Sequence, residues 1–233
     1  MKVVVTLITG LGDAALLLPA AAVLLFHLLR ARSWRPATAW VAALALCAGL
    51  TVAAKMMFHA CGGQLPALAI RSPSGHTSLS TTFYGCGALM LSANQGWSRR
   101  FLALLAAAGL AILIAASRVA LHAHTVEEVV VGFAIGSLCV AVYAAHYLPR
   151  PLQSLDWRVP VIAIVALALL THGRHLSVEG FLDRVTDHLQ LAQYLCPLRE
   201  DAAINSPHQL AIRGWSGNLG ALRMFAVSRL GAR

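Results

Sequence analysis

Two short polar segments in an otherwise apolar chain carry residue types suited to acid–base and phosphate chemistry. The segment at 117–128 reads SRVALHAHTVEE and places His124 four residues before Glu128. On a helix this spacing puts both side chains on one face, where the carboxylate can hydrogen-bond the imidazole. That bond fixes the tautomer and makes His124 a better nucleophile or base. The alternative is a capping box, Thr125-x-x-Glu128, and both roles are compatible if the helix begins at or before His124.

The second segment, PSGH at 73–76, suits the start of a helix that faces an anion. Ser74 is a candidate N-cap, and a helix N-terminus offers N–H groups and the positive end of the helix dipole. Gly75 lets the backbone approach a phosphate without a Cβ in the way, and His76 follows in the first turn. The alternative is an ordinary capped helix with an incidental histidine. We expect the hydroxyl residues at 77–82 to pack against other helices.

Charged residues near these segments, or inside apolar ones, are further candidates. Arg118 is a planar cation suited to bidentate oxyanion binding, and Lys55 and Arg71 lie before PSGH. Ionisable side chains at membrane depth are costly, so they are functional candidates by default. Asp13, beside Gly12 in the first apolar segment, belongs to this class, with a position near the lipid headgroups as the alternative.

Together the segments resemble the motifs of the membrane phosphatidic acid phosphatase type 2 family, which groups with vanadium haloperoxidases and bacterial acid phosphatases. The family motifs read Lys-x6-Arg-Pro, Pro-Ser-Gly-His and Ser-Arg-x5-His-x3-Asp. The second motif is unchanged at 73–76, and the third runs from 117 to 128 with glutamate in place of aspartate. The first keeps Lys55 but has Gly62 and Gly63 where arginine and proline would fall. The resemblance covers about residues 40–148.

The resemblance implies a phosphate hydrolase that works through a phosphohistidine, without a metal or other cofactor. His124 would be the nucleophile, Glu128 would orient it, and His76 would protonate the leaving oxygen as general acid. The implied phosphate-binding residues, which would stabilise the transition state, are Lys55, Arg71, Ser74, Gly75 and Arg118. Arg71 enters as a substitute for the missing arginine, from its proximity in sequence.

Two other functions remain open at this point. A catalytically impaired relative that binds or moves a phospholipid without turnover would fit the altered first motif. A metal-dependent membrane hydrolase would use His122, His124 and a glutamate as ligands. Two histidines at i and i+2 do not share a helix face, and no third clear ligand is present, which disfavours the metal site.

The apolar segments that must position these residues are typical of a membrane protein. The 233 residues are 58% hydrophobic and 12% charged, with a mean hydropathy of +0.71, whereas a soluble domain has about 25% charged residues. At about 20 residues per crossing, the candidate spans are 4–29, 38–60, 74–94, 101–121, 125–148 and the shorter 159–172. We therefore predict an all-α, polytopic transmembrane bundle of about six helices over 1–172, followed by a polar tail of unknown role at 173–233.

The arginines of the loops predict the orientation of this bundle. The segments 30–37, 95–100 and 149–158 carry arginines, so the positive-inside rule makes them cytoplasmic. The loops 61–73 and 118–124 are then external, which predicts a multi-pass protein of the cell (inner) membrane with its site facing outside or the periplasm. Expected partners are a lipid phosphate or polyprenyl pyrophosphate and membrane lipids. The net charge of +9 comes from scattered basic residues, which argues against nucleic-acid binding.

Overall fold

The computed structural model describes residues 2–61, 72–147 and 158–170, and within these ranges all regular structure is α-helical. The described helices are α1 Lys2–Gly10, α2 Ala14–Arg30, α3 Trp34–Cys61, α4 Gly75–Leu91, α5 Trp97–Ala120, α6 Val126–Tyr147 and α7 Arg158–Leu170. The predicted all-α bundle is confirmed, with each candidate span largely helical. The tail at 173–233 lies outside the described residues.

The first candidate span is two helices rather than one. α1 and α2 are bent by 42° at the break between Gly10 and Ala14. Asp13 starts α2 as its N-cap, because its side chain accepts a hydrogen bond from the Ala15 N–H at 2.8 Å. This cap places a carboxylate that is only 3% exposed inside an otherwise apolar segment.

The helices differ in their capacity to cross a membrane. Among the described residues, α3, α5 and α6 are long and apolar enough, and α1 with α2 adds a fourth crossing if the bent pair is one span. α4 has 17 residues and α7 has 13, fewer than the roughly 20 that a straight crossing needs. The sixth candidate span is therefore a short helix.

α4 is the central helix of the bundle, since it packs against α2, α3, α5 and α6. Its hydroxyl side chains are buried because they donate to carbonyls of their own helix, as Thr81 does to Thr77 at 2.7 Å and Thr82 to Ser78 at 2.9 Å. Hydroxyls satisfied in this way can be buried at low cost. The packing role expected for 77–82 is confirmed.

Glycines of α6 let that helix approach α4 closely. A Cβ on Gly136 would lie 2.5 Å from the Cβ of Thr81, and a Cβ on Gly132 would lie 2.5 Å from the carbonyl oxygen of Ser74. Only a residue without a side chain permits such contacts. The beginnings of α4 and α6, which carry the two polar segments, are therefore held together by packing.

The apolar core lies toward the other end of the bundle. It is built from residues along α2, the later parts of α4 and α6, and the first half of α3. Trp40 is central to it, donating a hydrogen bond from its indole N–H to the Ala21 carbonyl at 3.2 Å and meeting the Phe83 ring edge-on at 5.4 Å. One end of the bundle is thus stabilised by apolar contacts, and the polar candidates gather at the opposite end.

Candidate active site

The two polar segments meet at one end of the bundle. The Ser74 N–H donates to the Glu128 carbonyl oxygen at 3.1 Å, which joins the start of α4 to the start of α6. His76 lies within electrostatic reach of Arg118 and His124. Residues that the sequence predicted to act together are therefore brought to one place by α4, α5, α6 and their connections.

The closest contact in this cluster is between His124 and Glu128. Nδ1 of His124 lies 2.7 Å from Oε2 of Glu128, and the two side chains are 5% and 6% exposed. A carboxylate on Nδ1 fixes the tautomer of a neutral imidazole, so that Nε2 carries the lone pair. If His124 is the nucleophile, as predicted, Nε2 is therefore the atom that would attack.

Glu128 also closes the start of α6 as a capping box. The Thr125 N–H donates to Oε2 of Glu128 at 3.3 Å, and the Glu128 N–H donates to Oγ1 of Thr125 at 3.4 Å. α6 begins at Val126, so the helix does not start at or before His124, yet both contacts of Glu128 are present. The roles coexist because the glutamate in the first turn reaches back over the cap to the imidazole.

A further bond of Glu128 reaches the other polar segment and was not predicted from the sequence. Its Oε1 accepts a hydrogen bond from the Ser72 N–H at 2.9 Å. One carboxylate thus orients His124 with one oxygen and holds the residues before α4 with the other. The spacing of residues in the chain carries no signal for this contact, since it depends on how α4 and α6 pack.

The start of α4 is a capped helix N-terminus, the kind of position that favours an anion. Ser74 is the N-cap, as predicted, and its Oγ accepts from the Thr77 N–H at 3.5 Å and the Thr77 hydroxyl at 3.1 Å. Lys55 of α3 is buried and lies beside Gly75: a Cβ on Gly75 would be 3.9 Å from Cε of Lys55. That distance is an ordinary contact, so packing within the chain does not require glycine at 75.

The last turn of α5 carries Arg118, and His122 follows in the turn that ends the helix. The Ala123 N–H donates to the Arg118 carbonyl at 3.0 Å and the His122 N–H to the Val119 carbonyl at 2.9 Å, which is the Schellman arrangement of a helix end. His122 has φ 54°, the left-handed conformation of that motif. The Arg118 side chain lies 3.5 Å from the hydroxyl of Thr9 in α1.

These positions bear on the metal-dependent alternative. Within 2–61, 72–147 and 158–170, no group of three or more His, Cys, Asp or Glu side chains converges as a metal site would require. His122 is an exposed turn residue, and Glu128 is bonded to His124. The ligand set proposed for that alternative does not assemble.

Two parts of the predicted site fall outside the described residues. These are Arg71, the substitute phosphate ligand, and the glycine pair Gly62 and Gly63 of the altered first motif. The role of Arg71 stays a prediction.

His76 has a close partner that the sequence left unassigned. Its Nε2 lies 3.6 Å from Oδ2 of Asp13, with side-chain exposures of 22% for the histidine and 4% for the aspartate. The unusual position of Asp13 in an apolar segment was visible in the sequence, but its partner was not.

Comparison with known proteins agrees with the resemblance drawn from the motifs. Residues 58–150 match the model of the PAP2 superfamily, a range that contains both polar segments and begins just after Lys55. Over 184 residues the chain is 29% identical to an uncharacterized 22.5 kDa protein in the cps region of Klebsiella pneumoniae, covering 77% of this chain and 88% of that protein. No solved structure gives a significant match.

Proposed function

Because residues 58–150 belong to the PAP2 superfamily, we propose that the chain is an integral-membrane phosphatase that hydrolyses the phosphomonoester or pyrophosphate of a lipid. Superfamily membership supports hydrolase activity of the phosphatase type. The observation that carries the proposal for this chain is the 2.7 Å bond between His124 and Glu128, beside the N-terminus of α4. A buried, oriented imidazole next to an anion site is suited to phosphoryl transfer.

The proposed reaction has two steps. Nε2 of His124 attacks the phosphorus, the bond to the leaving oxygen breaks, and that oxygen keeps the electron pair and takes a proton from His76. Water then attacks the phosphorus of the phosphohistidine, the P–N bond breaks, and His76 accepts a proton from the water. Inorganic phosphate leaves, and both histidines return to their starting states.

Cations and N–H groups around the site would hold the phosphate oxygens. Lys55 beside Gly75 and Arg118 at the end of α5 supply positive charge, and the α4 N-terminus adds the dipole end and amide donors. The fields of these groups are fixed before the reaction, which favours the developing charge of the transition state. Arg71 joins this set as the proposed substitute for the missing arginine.

The architecture supports a lipid substrate, with lipid phosphates and polyprenyl pyrophosphates as the two classes. The site lies at one end of a bundle whose α3, α5 and α6 are long and apolar enough to cross a membrane. At this end of the bundle, the phosphate of a lipid in the headgroup layer can reach the site while the apolar chain of the lipid stays in the bilayer. The arginine-bearing turns between α2 and α3 and between α4 and α5 lie at the opposite end, which supports a site facing outside or the periplasm.

A phosphate-release panel tests this proposal. The purified full chain is assayed with phosphatidic acid, phosphatidylglycerol phosphate, polyprenyl pyrophosphate and sugar phosphates, with His124→Ala as the matched control. We expect release from at least one lipid substrate, inhibited by vanadate and unaffected by chelators, and a loss of about 10⁴-fold or more in His124→Ala, the scale seen when a nucleophile is removed. No release from any lipid phosphate, with wild type and His124→Ala binding lipid equally, would instead support the catalytically impaired relative.

The orientation needs a separate experiment. In a chain with Cys61 and Cys196 replaced by serine, a cysteine at Gly63 should react with a membrane-impermeant thiol reagent in intact cells. The buried Cys47, Cys86 and Cys139 contribute little background. Ser98→Cys, at an exposed position in the first turn of α5, is the matched control and should react only after lysis. The opposite pattern would reverse the proposed orientation.

A further inference from the structure

Asp13 occupies a position that capping alone does not explain. Its carboxylate caps α2 by accepting from the Ala15 N–H, a role that serine, threonine or asparagine fills equally well. A buried charge is costly and persists where it has a partner or a function. The second oxygen of this side chain lies 3.6 Å from Nε2 of His76, so the carboxylate faces both the cap and the site.

His76 needs a negative neighbour if it is to carry a proton. It lies in the first turn of α4, at the positive end of the helix dipole, where a cation is disfavoured. Arg118 and His124 are also within electrostatic reach of it, and a cation there opposes a second positive charge. Glu128 is bonded to His124, which leaves Asp13 as the carboxylate at ion-pair distance from His76 among the described residues.

We propose that Asp13 is a positioning residue for the general acid: it holds His76 by Nε2 and stabilises the imidazolium, so that Nδ1 delivers the proton to the leaving oxygen. After the transfer His76 is neutral and keeps the proton on Nε2, toward Asp13. In the hydrolysis step Nδ1 accepts a proton from the attacking water, and the imidazolium forms again. The inference deepens the proposed function and rests on it.

The break between α1 and α2 is what brings the carboxylate to this place. Asp13 follows Gly12, and a Cβ on Gly12 would lie 2.5 Å from Cγ2 of Ile114 and 3.5 Å from the His76 carbonyl oxygen. The glycine therefore allows the chain to pass close to α5, and at this position the chain is in ordinary contact with the first turn of α4. A continuous helix over 4–29 would present no cap residue there.

The test separates the charge of Asp13 from its capping role. Asp13→Asn keeps an N-cap side chain and removes the negative charge, and Asp13→Ser does the same with a shorter group. We assay kcat/KM, which reports the steps up to loss of the leaving group. The proteins are the two Asp13 variants, the single variant His76→Ala and the double variant Asp13→Asn/His76→Ala. Phosphatidic acid supplies a poor alkoxide leaving group and p-nitrophenyl phosphate a good one that needs little protonation.

We expect Asp13→Asn to lower kcat/KM for phosphatidic acid about 10- to 100-fold, the range for residues that orient a functional side chain, and for p-nitrophenyl phosphate by less than about 3-fold. The double variant should be no slower than His76→Ala alone, since the two residues act as one unit. Asp13→Ser should behave like Asp13→Asn, and Asp13→Glu should recover part of the activity.

Two results overturn the inference while the proposed function stands. One is an equal loss on both substrates in the charge-removing variants, and the other is additive losses in the double variant, because either would mean that Asp13 acts on the fold rather than through His76. A wild-type chain that releases phosphate from no lipid substrate of the panel would overturn the proposed function and this inference with it.

Discussion

The site contains two histidine–carboxylate pairs that differ in tightness and in origin. His124 and Glu128 are four residues apart, 2.7 Å from each other, with both side chains about 5% exposed. His76 and Asp13 come from different helices, lie 3.6 Å apart, and leave the histidine 22% exposed. The first pair is a short, buried hydrogen bond, and the second is a longer ion-pair contact at a more open position.

The difference matches the two chemical tasks of the proposed reaction. A nucleophile must present one nitrogen in a fixed direction, which a short bond at its other nitrogen achieves. A proton donor must exchange its proton with the leaving group and then with water, so it needs access and a partner that stabilises its charged form. The tight pair, His124 with Glu128, should therefore set the rate of attack. The loose pair, His76 with Asp13, should set how strongly the rate depends on the leaving group.

The largest effect that sharpens this comparison is expected from His76→Ala. Loss of the general acid should lower kcat/KM for phosphatidic acid by about 10³-fold, within the range for acid–base groups. The loss for p-nitrophenyl phosphate should stay below about 10-fold, because its leaving group departs without a proton. His146→Ala is the matched control, since His146 is exposed in the last turn of α6, and it should leave both rates unchanged. Equal losses on the two substrates would assign His76 to binding instead.

The same comparison shows what could be predicted from sequence. The tight pair was predictable because four-residue spacing is a local signal, and the N-cap at Ser74 was predictable for the same reason. The Asp13–His76 contact and the Ser72–Glu128 bond were not, since each depends on how two helices pack. A charge in an apolar segment marked Asp13 as unusual, but no rule of spacing gives its partner.

The apolar segments predicted the main outline of the fold, but the prediction was wrong in the first span. Hydrophobic length predicted helices throughout, and the structure has them. The break in the first span was missed, although Gly10, Gly12 and Asp13 together form a turn signal, because apolar residues on both sides favoured one continuous crossing. That missed break is the feature that positions Asp13.

A smaller effect, and one that does not depend on the leaving group, is expected from Glu128→Gln. Glutamine lacks the charge that orients His124 and stabilises its charged form, so kcat/KM should fall about 50-fold, within the range for supporting residues. The loss should be similar for phosphatidic acid and p-nitrophenyl phosphate, because attack rather than departure is impaired. Glu127→Gln is the matched control: Glu127 is exposed in the same turn, and its variant should match wild type. A loss confined to the poor leaving group would remove the distinction between the two pairs.

The smallest effect is expected at His122, a further histidine near the site. Its φ of 54° and its exposed position mark it as the residue that ends α5, so it belongs to neither pair. Glycine adopts the left-handed conformation without a Cβ penalty, whereas an L-residue there costs about 1–2 kcal/mol. His122→Gly should therefore keep kcat/KM within about 2-fold on both substrates and leave the melting temperature unchanged or slightly raised.

His122→Ala provides the comparison that separates backbone from side chain. Alanine removes the imidazole but keeps a Cβ in the left-handed position. The melting temperature of His122→Ala should therefore be equal to or lower than that of His122→Gly, while its activity stays near wild type. If both variants lost activity more than about 10-fold, the imidazole of His122 would have to act in the reaction. The site would then depend on three histidines, and the assignment of attack and proton transfer to two pairs would be wrong.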